Sequence, residues 1–271
     1  MRAECASLGY GGRRLGLVPT MGALHEGHLS LLRAARAECD VVTASIFVNP
    51  TQFGPEEDLA KYPRPFARDS ELLRAEGVDL LFAPSVGEMY PAGAVTQVNV
   101  EGLSERLCGR SRPGHFRGVA TVVSKLFHVV QPEVAFFGQK DAAQVAVIRA
   151  MVRDLLLPVE IVACPIVRES DGLALSSRNV YLSSEQRRQA LALFRSLLRV
   201  QEAYEGGERD ATRLLAAGVE EFSRETGVRL DFLEMVNPES LEPLEFAQPG
   251  ALVAVAGFLG STRLIDNVVL S

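Results

Sequence analysis

Two histidines, His25 and His28, stand three residues apart in the stretch "VPTMGALHEGH" (18–28), directly after an apolar run. The chain has four histidines, and the others are His115 and His128. An i, i+3 pair on the first turn of a helix turns both rings the same way. The unpaired N–H groups of that turn and the positive end of the helix dipole lie there too. A phosphate chain above such a turn meets amide donors, two imidazoles and a favourable field. Gly22 and Gly27 leave room for a close approach of backbone and ligand.

Other readings of the pair compete. H-x-x-H has no obvious third ligand for zinc, and "HEGH" is not the H-E-x-x-H of metalloproteases. Taken alone, the two histidines also fit an ordinary helix cap and surface. The chain has no G-x-G-x-x-G after a strand and no Walker A run, which counts against dinucleotide dehydrogenases and P-loop enzymes.

The elements that would carry this turn follow from hydrophobic periodicity. Residues 14–18 read as a short strand ending at Pro19, 27–36 as a helix, and 40–49 as a strand buried on both faces. Residues 68–75, 115–131 and 141–156 read as helices, and 78–84, 132–138 and 159–167 as strands. This alternation predicts an α/β fold with a doubly wound parallel sheet, whose ligands bind at the carboxyl ends of the strands near a switch in strand order. After residues 173–183 the character changes, and a domain boundary is expected near 167–171. Two amphipathic helices are predicted, 185–204 and 210–226, followed by strand-like runs at 230–237 and 251–270. The expectation is two domains, 1–167 and a smaller α+β domain, 168–271.

Composition narrows the function. The chain has 271 residues, 47% hydrophobic and 23% charged, with a formal net charge of -6. No broad basic face for nucleic acid is expected. No apolar run approaches the roughly 20 residues of a membrane span, and the N-terminus lacks a signal-peptide core. Cys5, Cys39, Cys108 and Cys164 are widely spaced, as reduced thiols of a cytoplasmic protein would be.

Five stretches in order carry a resemblance. "PTMGALHEGHLSL" (19–31) resembles the phosphate-binding motif of H-x-G-H nucleotidyltransferases. "SIFVNPTQFGPEEDLAKYPR" (45–64), "RPGHFRGVATVVSKLF" (112–127), "FFGQKDAAQ" (136–144) and "DGLALSSRNVYLS" (171–183) narrow it to the pantothenate synthetase family, the pantoate–β-alanine ligases. The resemblance runs from about residue 16 to near the end. It implies a Rossmann-like ATP-binding domain, a smaller C-terminal domain, and a homodimer. It also implies ATP with Mg2+ and a two-step reaction. The pantoate carboxylate attacks the α-phosphorus of ATP, and the β-alanine amine then attacks the pantoyl adenylate to give pantothenate and AMP.

The resemblance assigns roles residue by residue. His25, His28, Lys140, Ser176, Ser177 and Arg178 are the catalytic candidates. Pro19, Thr20, Met21, Gly22, His28, Gly138, Lys140, Asp141, Val167 and Ser176–Arg178 are expected at ATP. For Asp141 a helix N-cap is the competing role, and for Lys140 a solvated loop position. Met21, Gln52, Phe53 and Gln144 are expected at pantoate, where amides offer donor and acceptor without adding charge. Asn49 and Tyr62 are weaker candidates. Arg112 and His115 fit either local structure or phosphate contact, and His128 reads as structural. The linker position of Ser176–Arg178 points to a hinge closing over ATP.

Departures from the family pattern are visible. The part before residue 16 is shorter than the usual additional strand and helix, so an edge of the sheet is expected to be altered. Cys108 stands where a glutamate is frequent, which puts any magnesium role there in doubt. Ala143 replaces a frequent glutamine. No protein ligand for a metal is expected. Two alternatives remain at this point: another H-x-G-H nucleotidyltransferase, or a non-catalytic nucleotide-binding protein.

Overall fold

The computed structural model describes residues 1–9, 11–55 and 57–271. After a short helix α1 (Arg2–Leu8), strands and helices alternate: β1 (Leu15–Thr20), α2 (Glu26–Glu38), β2 (Val41–Ile46), α3 (Phe66–Ala75) and β3 (Leu80–Phe82). Two single-turn helices follow, α4 (Val86–Met89) and α5 (Cys108–Ser111). Then come α6 (His115–Val130), β4 (Val134–Gly138), α7 (Ala142–Asp154) and β5 (Glu160–Cys164). The five strands form one parallel sheet in the order β3-β2-β1-β4-β5. Its reversal lies between β1 and β4, where a doubly wound sheet opens a crevice at its carboxyl edge.

Both faces of the sheet are covered, which explains the nearly continuous apolar runs. Val18, Val42, Ala44, Val134 and Phe136 pack under α2 and α3, and Leu15, Leu17, Val41, Ala135 and Phe137 pack under α6 and α7. One strand boundary differs from expectation: β1 runs through Pro19 to Thr20. Leu15 accepts from Glu133 N, so alternate residues 15, 17 and 19 turn their polar groups towards β4. The β1–β4 ladder ends at Leu17, so the missing N–H of Pro19 removes no bond.

At the N-terminus α1 buries Cys5 in the core on the α6 side, and the edges of the parallel sheet are β3 and β5, with β1 in the centre.

The remaining chain holds α8 (Ser184–Gln189), α9 (Leu191–Glu205), α10 (Ala211–Ser223), β6 (Arg229–Val236), β7 (Leu252–Leu259) and β8 (Thr262–Val269). The predicted helix 185–204 is thus two helices bent at the fully buried Ala190. The run 251–270 is a hairpin, reversed at residues 260–261. β6, β7 and β8 form an antiparallel sheet with apolar residues on both faces. Leu233, Met235, Val253 and Val255 pack on α9 and α10, whereas Phe232, Val236, Leu252, Ala254 and Ala256 join the core of α6 and α7.

Candidate active site

The turn after β1 is held from behind by a buried carboxylate. Asp69 of α3, 1% exposed, accepts from Ala23 N (2.8 Å) and Leu24 N (2.9 Å). Gly22 has φ +82°, and a Cβ there would meet Asp69 Oδ2 at 3.0 Å. Gly22 therefore shapes the turn from behind and does not line the cavity. Thr20 Oγ1 accepts from Gly22 N (3.1 Å) and donates to Ser45 O (2.7 Å), tying β1 to β2.

His25 is the N-cap of α2, and the two histidines cap each other's backbone. His25 Nδ1 accepts from Gly27 N (3.1 Å), and His28 Nδ1 accepts from His25 N (3.3 Å). The ring centroids are 4.1 Å apart. Burial, then the Lys140 charge, holds His25 down at about 4. Burial, then His25 and Lys140, holds His28 at about 3. Both rings are neutral near pH 7. With both Nδ1 atoms accepting, each proton sits on Nε2, and each ring keeps a free Nε2–H donor. The amides of Gly27 and His28 are already spent inside the cap, on His25 Nδ1 and His25 O. The expected first-turn amides of Gly27 and His28 are therefore not available to a ligand, and the two imidazole N–H groups are. Gly27 is needed by the ring: a Cβ there would meet His25 Cε1 at 2.9 Å.

From β4, the turn Gln139–Asp141 leads into α7 and carries Lys140. Among the described residues, no carboxylate lies within ion-pair distance of its ammonium group, and it has no hydrogen-bond partner. Asp141 occupies the N-cap position of α7 but makes no side-chain cap bond, so its carboxylate is free. Gln144, half-buried, follows on the first turn of α7.

The third arm comes from 165–178. Ser176 caps the short turn Ser177–Tyr181, its Oγ accepting from Arg178 N (3.3 Å). Ser177 Oγ lies 3.3 Å from Tyr62 OH. Arg178 is engaged: Nε and Nη2 each donate to Asp58 at 2.9 Å. The neighbouring Glu57 takes Arg112 in the same bidentate way, at 2.8 and 2.5 Å. Burial by itself would raise both carboxyls, but their arginine partners outweigh it and hold them below the usual range.

A fourth group faces these. Asn49, 1% exposed, donates from Nδ2 to Gln52 Oε1 (3.0 Å) and Gly118 O (3.1 Å), and its Oδ1 accepts from Tyr90 OH (2.8 Å). Gln52 Nε2 is left against Met21 Sδ (3.1 Å), a weak acceptor it can exchange for a stronger one. His115 Nδ1 donates to Gln52 O (2.8 Å) and its Nε2 accepts from Arg112 (3.0 Å). Burial, then the Arg112 charge, holds it at about 4. Arg112 and His115 thus brace the 52–57 segment. His128 lies on α6 with Nδ1 on Ser124 O (2.7 Å).

The three arms and the fourth group meet at the carboxyl edge, at the switch point. Of the candidate residues, Pro19, Thr20, Met21, His25, His28, Gln52, Phe53, Gly138, Lys140, Asp141, Gln144, Val167 and Ser176–Arg178 line one cavity of about 230 Å³. It opens into a cleft of about 1070 Å³ that reaches the antiparallel sheet, sharing Lys140, Asp141, Gln144 and Arg178 as walls. Cys108 faces that cleft with Sγ 3.6 Å from both terminal nitrogens of Arg263.

A family model for pantoate-beta-alanine ligase matches residues 1–269. The chain belongs to the pantoate–β-alanine ligase family. The pantothenate synthetase of Acidobacterium capsulatum is 63% identical over 96% of this chain and 87% of its own. That of Koribacter versatilis is 60% identical over 100% and 93%. The crystal structure of pantothenate synthetase from Thermus thermophilus superposes with TM-score 0.94 at 52% identity, covering 99% of this chain and 97% of that one. The pantoate-beta-alanine ligase of Francisella tularensis, complexed with beta-gamma ATP and beta-alanine, has TM-score 0.81 at 34% identity over 99% and 94%. The enzyme is accordingly an ATP-dependent ligase that joins pantoate to β-alanine, and the reading as a different nucleotidyltransferase falls away.

Several residues of this ligase site went unnoticed in the sequence. Asp69 breaks an otherwise apolar buried stripe with Leu73, and a lone carboxylate on such a stripe is the signal for it. Gly118 lies mid-helix in α6, where glycine costs about 1 kcal/mol against alanine and asks for a packing reason. A Cβ there would sit 2.7 Å from Gln52 N.

Proposed function

We propose that the cavity binds the triphosphate of ATP between the histidine pair, Lys140 and Ser176–Arg178, with pantoate beside it against Met21, Gln52, Phe53 and Gln144. The observation that carries this is the convergence of two neutral N–H donors, an unpaired ammonium and a serine-arginine turn on one cavity at the switch point. Attack of a carboxylate on a polyphosphate brings like charges together, so the site must supply positive charge and donors that are already in place. Lys140 stands where negative charge builds on the α-phosphate. The imidazole Nε2–H groups suit phosphate oxygens, and because the rings are neutral they hold the ligand without a strong charge trap. The carboxylate–phosphorus bond forms as the bond to pyrophosphate breaks, giving pantoyl adenylate. The β-alanine amine then displaces AMP.

Magnesium enters with the nucleotide in this reading. Among the described residues there is no cluster of three side chains able to hold a metal. Cys108 offers a soft thiol where a hard cation wants oxygen.

The chain is read as two lobes, 1–167 and 168–271, which the change from a parallel to an antiparallel sheet supports. Crystals with and without an ATP analogue showing the same angle between lobes would count against a hinge. A homodimer in the cytoplasm completes the reading. Family resemblance supports it, together with the absence of any helix among the described residues long and apolar enough to cross a membrane. Light scattering of the purified protein tests the dimer.

Pyrophosphate–ATP exchange tests the chemistry. Exchange should require pantoate and magnesium but not β-alanine. Lys140→Ala should lower it by about 10²–10³-fold, the scale of one lost transition-state donor. Near-normal exchange in that variant rejects the role given to Lys140.

A further inference from the structure

Lys140 has a flexible four-carbon stem and, among the described residues, no side-chain partner. Its placement therefore rests on its backbone, in the short turn Gln139–Asp141. The carbonyls of Gln139 and Lys140 are both taken by a single amide from the far end of the chain. Asn267 of β8, 2% exposed, donates from Nδ2 to Gln139 O (2.9 Å) and Lys140 O (3.0 Å). Its Oδ1 accepts from Gln139 Nε2 (3.3 Å). Both amide hydrogens and the carbonyl oxygen are thus committed to this one turn.

Asn267 is itself held. Its N–H donates to Asp266 Oδ1 (2.8 Å), and Asp266 is 3% exposed. Arg168 clamps Asp266 in a bidentate pair at 2.6 and 2.9 Å, and also reaches Asn267 O (3.3 Å) and Gly172 O (3.0 Å). The guanidinium stacks over Phe194 at 4.5 Å. Arg168 pairs with Ala174 in a β-bridge, two residues before Ser176. One polar chain therefore joins the Lys140 turn to the segment carrying Ser176–Arg178.

We infer that Asn267 is a positioning residue for the first half-reaction: it sets the backbone of Lys140 from a mount fixed by Asp266 and Arg168. Asparagine suits the place because it offers two donors and an acceptor on a short, uncharged side chain. A carboxylate there would lack both donors and would stand beside Asp266. A reacting group displaced by about 1 Å loses on the order of 10²-fold in rate. The inference rests on the phosphate role given to Lys140.

The test is a double-mutant cycle read by pantoate-dependent pyrophosphate–ATP exchange, with Asn267→Leu made alone and together with Lys140→Ala. Asn267→Ser, small enough to admit a bridging water, serves as a second variant should the leucine form fail to fold by near-ultraviolet circular dichroism. In the parent enzyme the replacement should lower kcat by roughly 10- to 100-fold, with KM for ATP and pantoate within about threefold. In the Lys140→Ala enzyme the same replacement should change the remaining rate by less than about threefold, since a residue acting through Lys140 has nothing left to act on. Equal losses in the two backgrounds, or no loss in either folded variant, overturn the inference. If Lys140→Ala alone exchanges normally, the role of Lys140 fails and this inference with it. An impaired Lys140→Ala enzyme with an additive cycle overturns only the inference.

Discussion

Replacing Gly27 with alanine separates the helix cap from the phosphate site. The added Cβ would stand 2.9 Å from Cε1 and 3.0 Å from Nδ1 of His25. Backbone is not in the way, so the ring swings off and gives up the Gly27 N–H. Loss of the cap costs about 1 kcal/mol. Alanine in place of glycine returns up to about 1 kcal/mol of helix propensity. The two nearly cancel, and at about 2–4 °C per kcal/mol for a chain of this size the melting temperature should shift by less than about 4 °C. The displaced imidazole no longer aims its Nε2–H at the cavity. Loss of one such donor lowers the adenylation rate by about 10²-fold. The assay is pyrophosphate–ATP exchange beside a thermal melt. Exchange within about threefold of the parent refutes the reasoning. A fall in melting temperature beyond about 10 °C shows instead that the helix, not the ring, needs glycine.

Other outcomes follow from the same geometry. Asp58→Asn frees Arg178 from a pair whose half-buried setting makes it worth about 1 kcal/mol, so an ATP analogue should bind about fivefold tighter by calorimetry. Unchanged or weaker binding would show that the pair does not compete with the nucleotide. Gly118→Ala puts a Cβ 2.6 Å from Thr51 C and 2.7 Å from Gln52 N, which are backbone atoms. It should destabilise by about 2–3 kcal/mol in urea unfolding and weaken pantoate binding. Stability should fall as pH drops from about 6.5 towards 4, because His25, His28 and His115 are held neutral in the fold while the unfolded chain takes up protons. Urea midpoints at several pH values measure this, and a flat profile across that window would contradict it.

The α/β alternation was legible because residues 40–49 around β2 read as a near-continuous β-branched and aromatic run, which suits a strand covered on both faces. The bend at Ala190 was not, because alanine is the best helix former and the break comes from packing at a buried position. In the site, the spacing of the H-x-G-H turn put both histidines at the start of a helix, where the structure has them, while the choice of a phosphate role came only from the resemblance. The use of Nδ1 for capping was not legible, since that depends on where the backbone amides point. The Arg178–Asp58 and Asn267–Lys140 contacts join residues about 120 or more positions apart in the chain. No local pattern encodes such pairs. They exist only once β8 and the 53–61 segment have been brought to the carboxyl edge of the sheet.

The sheet formed by β6, β7 and β8 is apolar on both sides, with part of one side open to the cleft. One side completes the packing of α6 and α7, the other that of α9 and α10. A polypeptide stopped at residue 167 would leave α6 and α7 with a bare oily strip, and the C-terminal segment by itself would carry the matching one. Neither piece should survive as a soluble module, so this enzyme should be inherited, transplanted and engineered as a single indivisible unit.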